Sequence, residues 1–478
     1  MSTPGALRND SRVDGNSRLR AGLIVALALL LPLTLVLALG ASLIPFRFHV
    51  GKNFALVFIK MLMPAFAWPL CWLGMLCAVA GLALAYFFWR PRRRIRFASV
   101  LSMVVAIANV GVCAMAARYI YRSVAASRVE IAQAFGRDAS HRLRARPSSA
   151  ILRHRWSPAA FHDPDPRVER NVVFAVVPET SRQLLADIWY PPSATPASGL
   201  AFLFFHGSGW HMSDKGVGMD PTFRHLVAQG YVVMDVAYRL APDADLIGMV
   251  GDAKRAIVWM KANGSRYGAT SDRIVISGAS AGGQIALLAA YSSGEPELTP
   301  AELMGADTSV LGVVSYYGPT DMRAFVNHEV GALIKSGVRA TRKIPLTDPK
   351  THLPTGPMTL EQMMFNVMGG MPEDVPHAYD LAAVKSHITP RTPPTLFFQG
   401  ECDSFVQTQA VRNLVNALRA AEVPVVYVEF PDTDHGFDIA SAFTTFGGMH
   451  LPIESQFAPP SQAALYDLDR FLAVLAAR

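Results

Sequence analysis

The chain has 478 residues, 51% of them hydrophobic, and a formal net charge of +7. That length exceeds one small domain, and a mean hydropathy of +0.25 is high for a soluble protein. Residues 1–156 carry 21 Lys and Arg against 4 Asp and Glu, which leaves the remainder net acidic. Those arginines flank long apolar runs, a pattern that favours a membrane surface and argues against nucleic acid as the partner.

Residues 1–20 read as a basic tail, and 21–122 as a transmembrane region with spans at about 21–45, 61–89 and 97–117. Each run reaches the roughly 20 residues that a helix needs to cross a bilayer. Ala21 to Pro45 has no charge, Met61 to Trp89 is broken by Pro64 and Pro69, and the most polar member of Phe97 to Ala117 is Asn109. The alternatives are buried core helices or, for the first run, a cleaved signal peptide ending near Ala38-Leu39-Gly40. With three spans, the arginines before the first and the cluster Arg90 to Arg96 share one side. The positive-inside rule makes that side cytoplasmic and places the later domain outside a plasma (inner) membrane. Splitting Asn53 to Trp89 into two spans would reverse this orientation. Cys71, Cys77 and Cys113 fall in the proposed spans, so Cys402 alone remains beyond them; no disulfide within the later domain and no zinc-type spacing is possible. Residues 123–166, rich in Arg, Ser and Pro, read as a basic linker.

From 167 to 478 the pattern is α/β. Val172 to Val177 and Leu184 to Tyr190 form an opening antiparallel pair. Six short apolar runs follow: Leu200 to Phe205, Tyr231 to Val236, Arg273 to Ile276, Val310 to Tyr316, Thr395 to Phe398 and Val425 to Phe430. Helical patterns at Pro221 to Gln229, Gly251 to Asn263, Ala281 to Tyr291 and Gln407 to Ala421 separate most of them, and Ser461 to Ala477 closes the chain. Such alternation predicts a mostly parallel sheet with helices on both faces. Residues 321–390 interrupt the rhythm with Met358, Met363, Met364, Met368 and Met371. This insertion is either a lid over an apolar substrate pocket or helical packing at the sheet edge.

The run Gly278-Ala279-Ser280-Ala281-Gly282-Gly283 sits between a β-branched stretch and a helical one. A nucleophilic serine needs that setting: a tight strand-to-helix turn flanked by small residues, with helix N–H groups aimed at developing negative charge. A base and a group to orient it should lie on loops at the carboxyl ends of other strands. Asp403 follows Thr395 to Phe398, and His435 follows Val425 to Phe430. Glu401, Asp432 and Asp434 compete as the acid, although Asp434 is adjacent to His435 and badly placed to reach its ring. His206, His211 and His450 compete as the base. Oxyanion donors are expected from the loop Gly207, Ser208 and Gly209, together with Ala281.

Residues from about 170 to 478 resemble the hormone-sensitive-lipase-like carboxylesterases of the α/β-hydrolase superfamily. The likeness rests on His206-Gly207-Ser208-Gly209-Trp210, Tyr238-Arg239-Leu240-Ala241-Pro242, the Ser280 run, Gly400 with Asp403, and His435-Gly436-Phe437. Ser208 replaces the family's usual glycine but keeps a backbone N–H, and Ala279 stands where an acidic residue is common. The resemblance implies an α/β-hydrolase fold and a membrane-attached serine hydrolase of small or lipid-like esters, with Ser280, Asp403 and His435 as its triad and no metal or cofactor. A peptidase or acyltransferase would use the same triad, and a catalytically silent membrane-attached binding module would not react with a fluorophosphonate. The sequence leaves the oligomeric state open.

Overall fold

The computed structural model describes residues 67–87, 99–111, 130–136, 163–207, 209–216, 218–345, 359–431, 433–438, 445–446, 449–450 and 459–477, with short pieces within 22–36 and at 97 and 114. Two compact units are present: Met1–Phe48 with Phe66–Arg118, and His49–Ala65 with Tyr119–Arg478.

In the first unit, helix α1 (Ala67–Phe87) runs for 21 residues without a charged side chain. Its backbone lies close to the helical residues 99–111 because two positions lack a side chain. A methyl at Gly74 would stand 3.1 Å from Asn109 Nδ2, and one at Gly81 would stand 3.1 Å from the Ser99 carbonyl. Among the described residues, no helix is long and apolar enough to cross a membrane. The spans expected at 21–45, 61–89 and 97–117 are therefore not supported, and much of them lies outside the described residues.

The second unit is built on an eight-stranded sheet in the order β1-β2-β4-β3-β5-β6-β7-β8. The strands are β1 (Arg167–Val176), β2 (Gln183–Tyr190), β3 (Gly199–Phe205), β4 (Val232–Val236), β5 (Ala269–Ala279), β6 (Gly312–Tyr316), β7 (Thr395–Gly400) and β8 (Val425–Phe430). β1 and β2 pair antiparallel with each other, and β2 with β4; every pairing from β4 through β8 is parallel. Alternation along β3 feeds two cores. Ala201, Leu203 and Phe205 point to one, and Leu200, Phe202 and Phe204 to the other. The helices between strands are α2 (Asp220–Ala228), α3 (Leu246–Asn263) and α4 (Ala281–Tyr291), with α9 (Thr408–Ala420) and the closing α10 (Pro459–Ala476) later.

All the strands expected from sequence are present, with instructive differences in length. β5 begins at Ala269 because its exposed first residues Thr270, Ser271 and Asp272 extend past the covered part of the sheet. An apolar run marks only the part buried on both faces. α3 starts at Leu246, ahead of the expected Gly251, capped by Asp245, whose side chain accepts from the Gly248 N–H at 2.9 Å. Gly251 hid this extension; its missing side chain leaves room for Pro300, whose Cγ would be 2.8 Å from a methyl there.

Within 321–390 lie the short helices α5 (Met322–Val326), α6 (Glu329–Ile334), α7 (Leu360–Met368) and α8 (Pro376–Leu381). Met363, Met364, Met368 and Met371 are buried in the same core as α3 and α4. The described part of the insertion thus packs as helical covering, while Met358 lies outside the described residues. The expected linker 123–166 also contains a packed element. Residues 130–135 are helical, Ile131 is buried, Glu130 pairs with Arg419 at 2.6 Å, and Phe135 meets Phe471 at 5.9 Å between centroids. Ile131, Ala134 and Phe135 have helical spacing that the surrounding arginines obscure.

A buried ion pair ties α2 to α10. His225 Nε2 lies 3.0 Å from both oxygens of Asp469, and Gln229 Nε2 donates to the same carboxylate at 2.7 Å. Burial pushes the His225 imidazole down, but Asp469, with Asp163, outweighs it and raises the group to about 10. A histidine raised in the folded state stabilises fully below its unfolded value of about 6.5, and that stability is lost as pH climbs toward 10. Asp469→Asn should therefore cost about 3–5 kcal/mol near pH 6 and much less near pH 10. Denaturant melts of both proteins across that range check the trend, and a pH-independent difference would contradict it.

Candidate active site

Ser280 occupies the junction between β5 and α4 with φ 52° and ψ −120°. A side-chain-bearing residue there costs about 1–3 kcal/mol in backbone strain. The surroundings fix it: the Ser280 N–H donates to the Tyr316 carbonyl at 2.8 Å, and the Gln284 N–H donates to the Ser280 carbonyl at 3.1 Å. Only glycine fits on either side. A methyl at Gly278 would come within 2.2 Å of the Gly282 carbonyl oxygen, and one at Gly282 within 2.1 Å of that of Phe205.

The structure brings Ser280, His435 and Asp403 into one chain. His435 Nε2 lies 2.9 Å from Ser280 Oγ, and Nδ1 lies 2.9 Å and 3.1 Å from the Asp403 oxygens Oδ2 and Oδ1. A carboxylate only accepts, so Nδ1 carries the proton and Nε2 is free to accept from the serine hydroxyl. Asp403 is itself fixed. Oδ1 accepts from the Phe405 and Val406 N–H groups at 2.9 Å and 2.8 Å, and Oδ2 accepts from Gln399 Nε2 at 3.0 Å. The rings of Phe405 and Tyr317 flank the imidazole at 4.9 Å and 4.5 Å between centroids. Tyr317 in turn donates to Asp438, whose carboxyl burial raises to about 6. His435 and Asp403 are buried, whereas Ser280 is half-buried and so reachable.

The rivals hold other posts. Asp434 turns away from the ring, accepting from the Ser404 N–H and hydroxyl at 2.8 Å each and from the His435 N–H at 2.7 Å. It staples the Asp403–Ser404 loop to the His435 loop. Glu401 is placed on the turn after β7, where its N–H donates to the Phe430 carbonyl at 2.9 Å. His206 stacks on Tyr238 at 4.5 Å, and burial pushes it down to about 4. His450 lies in a short two-stranded ladder with Thr445, and Asp432 lies outside the described residues.

The loop after β3 lies against Ser280: a methyl on Gly207 would stand 3.3 Å from Ser280 Cβ. Gly209 has φ 55°, a left-handed conformation that glycine adopts without penalty. Ala281 opens α4. Ser208, the remaining expected donor, lies outside the described residues. Three contacts brace the loop. The Tyr238 hydroxyl donates to the His206 carbonyl at 2.9 Å, the Ala241 N–H to the Trp210 carbonyl at 2.8 Å, and Trp210 Nε1 to Gln284 Oε1 at 3.1 Å. The segment Tyr238 to Pro242 therefore shapes this loop from below, while Arg239 pins the segment to α3 through paired bonds to Asp252 at 2.9 Å and 2.8 Å.

Sequence reasoning missed Gln399, Tyr317 and Phe405. Gln399 carried a usable signal, a polar residue at the end of the apolar run of β7. The two aromatic residues carried none, because only the fold brings them to His435. Among the described residues, no group of His, Cys, Asp and Glu could hold a metal ion. Sheet order, elbow and the chain order Ser, Asp, His together make the α/β-hydrolase arrangement that the resemblance implied.

The later part of the chain is similar to known esterases. The BD-FAE family profile matches residues 186–418. The chain is 30% identical over 256 residues to a probable carboxylic ester hydrolase, LipM, of Mycobacterium tuberculosis, covering 53% of each chain. It is 29% identical over 263 residues to the esterase LipQ of the same organism, covering 54% of this chain and 56% of that one. The chain thus spans about half the length of the curated relatives it matches. A thermophilic esterase structure from Thermogutta terrifontis is 21% identical at a TM-score of 0.42, covering 59% of this chain and 85% of that one.

Proposed function

We propose that this α/β-hydrolase is a serine carboxylesterase that works through an acyl-enzyme on Ser280. The observation that carries the reading is the unbroken hydrogen-bond chain from Asp403 through His435 to Ser280, with a glycine loop against the nucleophile. As Ser280 Oγ attacks an ester carbonyl, His435 Nε2 takes its proton and Asp403 stabilises the resulting imidazolium. Negative charge on the carbonyl oxygen meets N–H groups from Ser208, Gly209 and Ala281. His435 then protonates the leaving alkoxide. Water, deprotonated by the same nitrogen, cleaves the acyl-enzyme and frees the acid. The esterase relatives support an ester as substrate. Hydrolysis of a graded series of p-nitrophenyl acyl esters by the full chain tests the activity and sizes the acyl pocket; turnover of none of them would contradict it.

We further propose that the enzyme is attached to a membrane, with the catalytic domain on the extracytoplasmic side. What supports attachment is the inverted polarity of the first unit. Leu29, Leu76, Val79 and Phe97 are each at least 66% exposed, while Thr34, Ser99, Ser102 and Asn109 are buried. Lipid rewards that arrangement and water does not, and close helix contact through Gly74 and Gly81 is the packing that lipid-embedded helices use. Alkaline carbonate extraction of membranes from expressing cells should leave the protein in the pellet. Release into the supernatant would contradict attachment, and protease resistance of the catalytic domain in spheroplasts would contradict the orientation.

A further inference from the structure

His211 was a rival base by sequence, yet it is buried beyond Gly209 and nothing in the triad uses it. Its Nδ1 lies 2.8 Å from the Gly209 carbonyl oxygen. A carbonyl only accepts, so Nδ1 must carry the proton. Burial pushes the imidazole down to about 4, so at neutral pH the ring is neutral and Nε2 is an acceptor. The group facing Nε2 is the side-chain amide of Asn366 on α7, with Nδ2 at 3.2 Å.

The orientation of that amide is settled by its other partners. Asn366 Oδ1 accepts from the Ile344 N–H at 3.1 Å and from Gln362 Nε2 at 3.0 Å, while Nδ2 also donates to the Ile344 carbonyl at 2.7 Å. Turning the amide over would set like groups against each other at every contact. Asn366 is fully buried, so water cannot substitute. The donor therefore faces His211, which fixes the imidazole tautomer and, through it, the Gly209 carbonyl.

We infer that Asn366 is a positioning residue for the oxyanion loop, acting through His211. Gly209 has the conformational freedom of glycine, and its N–H is one of the expected oxyanion donors. Capturing its carbonyl stops rotation about its ψ and so holds the left-handed turn that aims the loop. Loss of one oxyanion donor typically costs 10²–10³-fold in rate, and a donor that is present but mobile should cost less. The inference rests on Ser280 being the nucleophile, and it gives the 321–390 insertion a role in the chemistry.

The test compares kinetics of p-nitrophenyl acetate hydrolysis for the full chain and its variants. Asn366→Leu and His211→Leu should each lower kcat by about 10–100-fold with KM within about threefold, because substrate binding is untouched. The double variant should be no slower than either single one. His211→Asn should stay within about fivefold of the parent, since an asparagine amide can donate from the position of Nδ1. In that background Asn366→Leu should have little further effect. A folded Asn366→Leu protein with kcat within twofold of the parent overturns the relay, as do losses that multiply in the double variant. A loss in His211→Asn equal to that in His211→Leu also overturns it, and this pair carries the test if Asn366→Leu does not fold. Ser280→Ala run alongside separates the two levels. If it is inactive while Asn366→Leu is unimpaired, the relay alone fails; if it is fully active, the nucleophile assignment fails.

Discussion

Ser280→Ala is expected to lower kcat/KM for an ester by about 10⁴-fold or more while leaving the fold intact. The residual rate would come from binding and the oxyanion donors alone, because alanine cannot form the acyl-enzyme. Ser280→Gly should be equally inactive but more stable by about 1 kcal/mol, since glycine accepts a φ of 52° that strains any other residue. The pair separates the chemical role of the hydroxyl from the strain of the elbow. Steady-state kinetics with denaturant melts measure both. An active Ser280→Ala protein would remove the nucleophile, and a Ser280→Gly protein less stable than the parent would remove the strain argument.

Asp403→Asn should cost about 10³–10⁴-fold at neutral pH, the scale set by loss of the correct histidine tautomer in other triads. The geometry dictates the direction. The oxygen that meets the Phe405 and Val406 N–H groups must remain an acceptor, so the new NH₂ replaces Oδ2. It would then face His435 Nδ1 and Gln399 Nε2, where a carboxylate oxygen now accepts at 2.9 Å and 3.0 Å. His435 could satisfy that NH₂ only by moving its proton to Nε2, which then cannot take the proton of Ser280. A loss below about tenfold at pH 7 would mean that another carboxylate orients the base.

The meeting of Ser280, His435 and Asp403 follows from sequence because each lies after a short apolar or β-branched run and the parallel sheet gathers the carboxyl ends of its strands on one edge. Asp403 and not Asp434 faces the His435 ring, since a residue adjacent to His435 is badly placed to reach its neighbour's ring; Asp434 turns toward Ser404 instead. What sequence could not supply were contacts between elements far apart in the chain. Tyr317 and Asn366 reach the site from the loop after β6 and from α7, and neither stands in a recognisable motif. His211 shows the limit on the other side: adjacent to Trp210 it reads as a candidate base, and only its burial, with Gly209 and Asn366 as partners, reveals that its ring is neutral and committed. The membrane expectation had a different difficulty. Apolar length is visible in sequence, but among the described residues no helix is long and apolar enough to cross a membrane, and the inverted polarity of the first unit is visible only in three dimensions.

The most direct test of the account is covalent. The full chain is treated with a fluorophosphonate, hydrolysis is followed to its end, and the adduct is located by peptide mass spectrometry. One adduct per chain, on Ser280, with activity falling in proportion to labelling, is the predicted result. An adduct on any other residue, or full hydrolysis by a completely labelled protein, would contradict it.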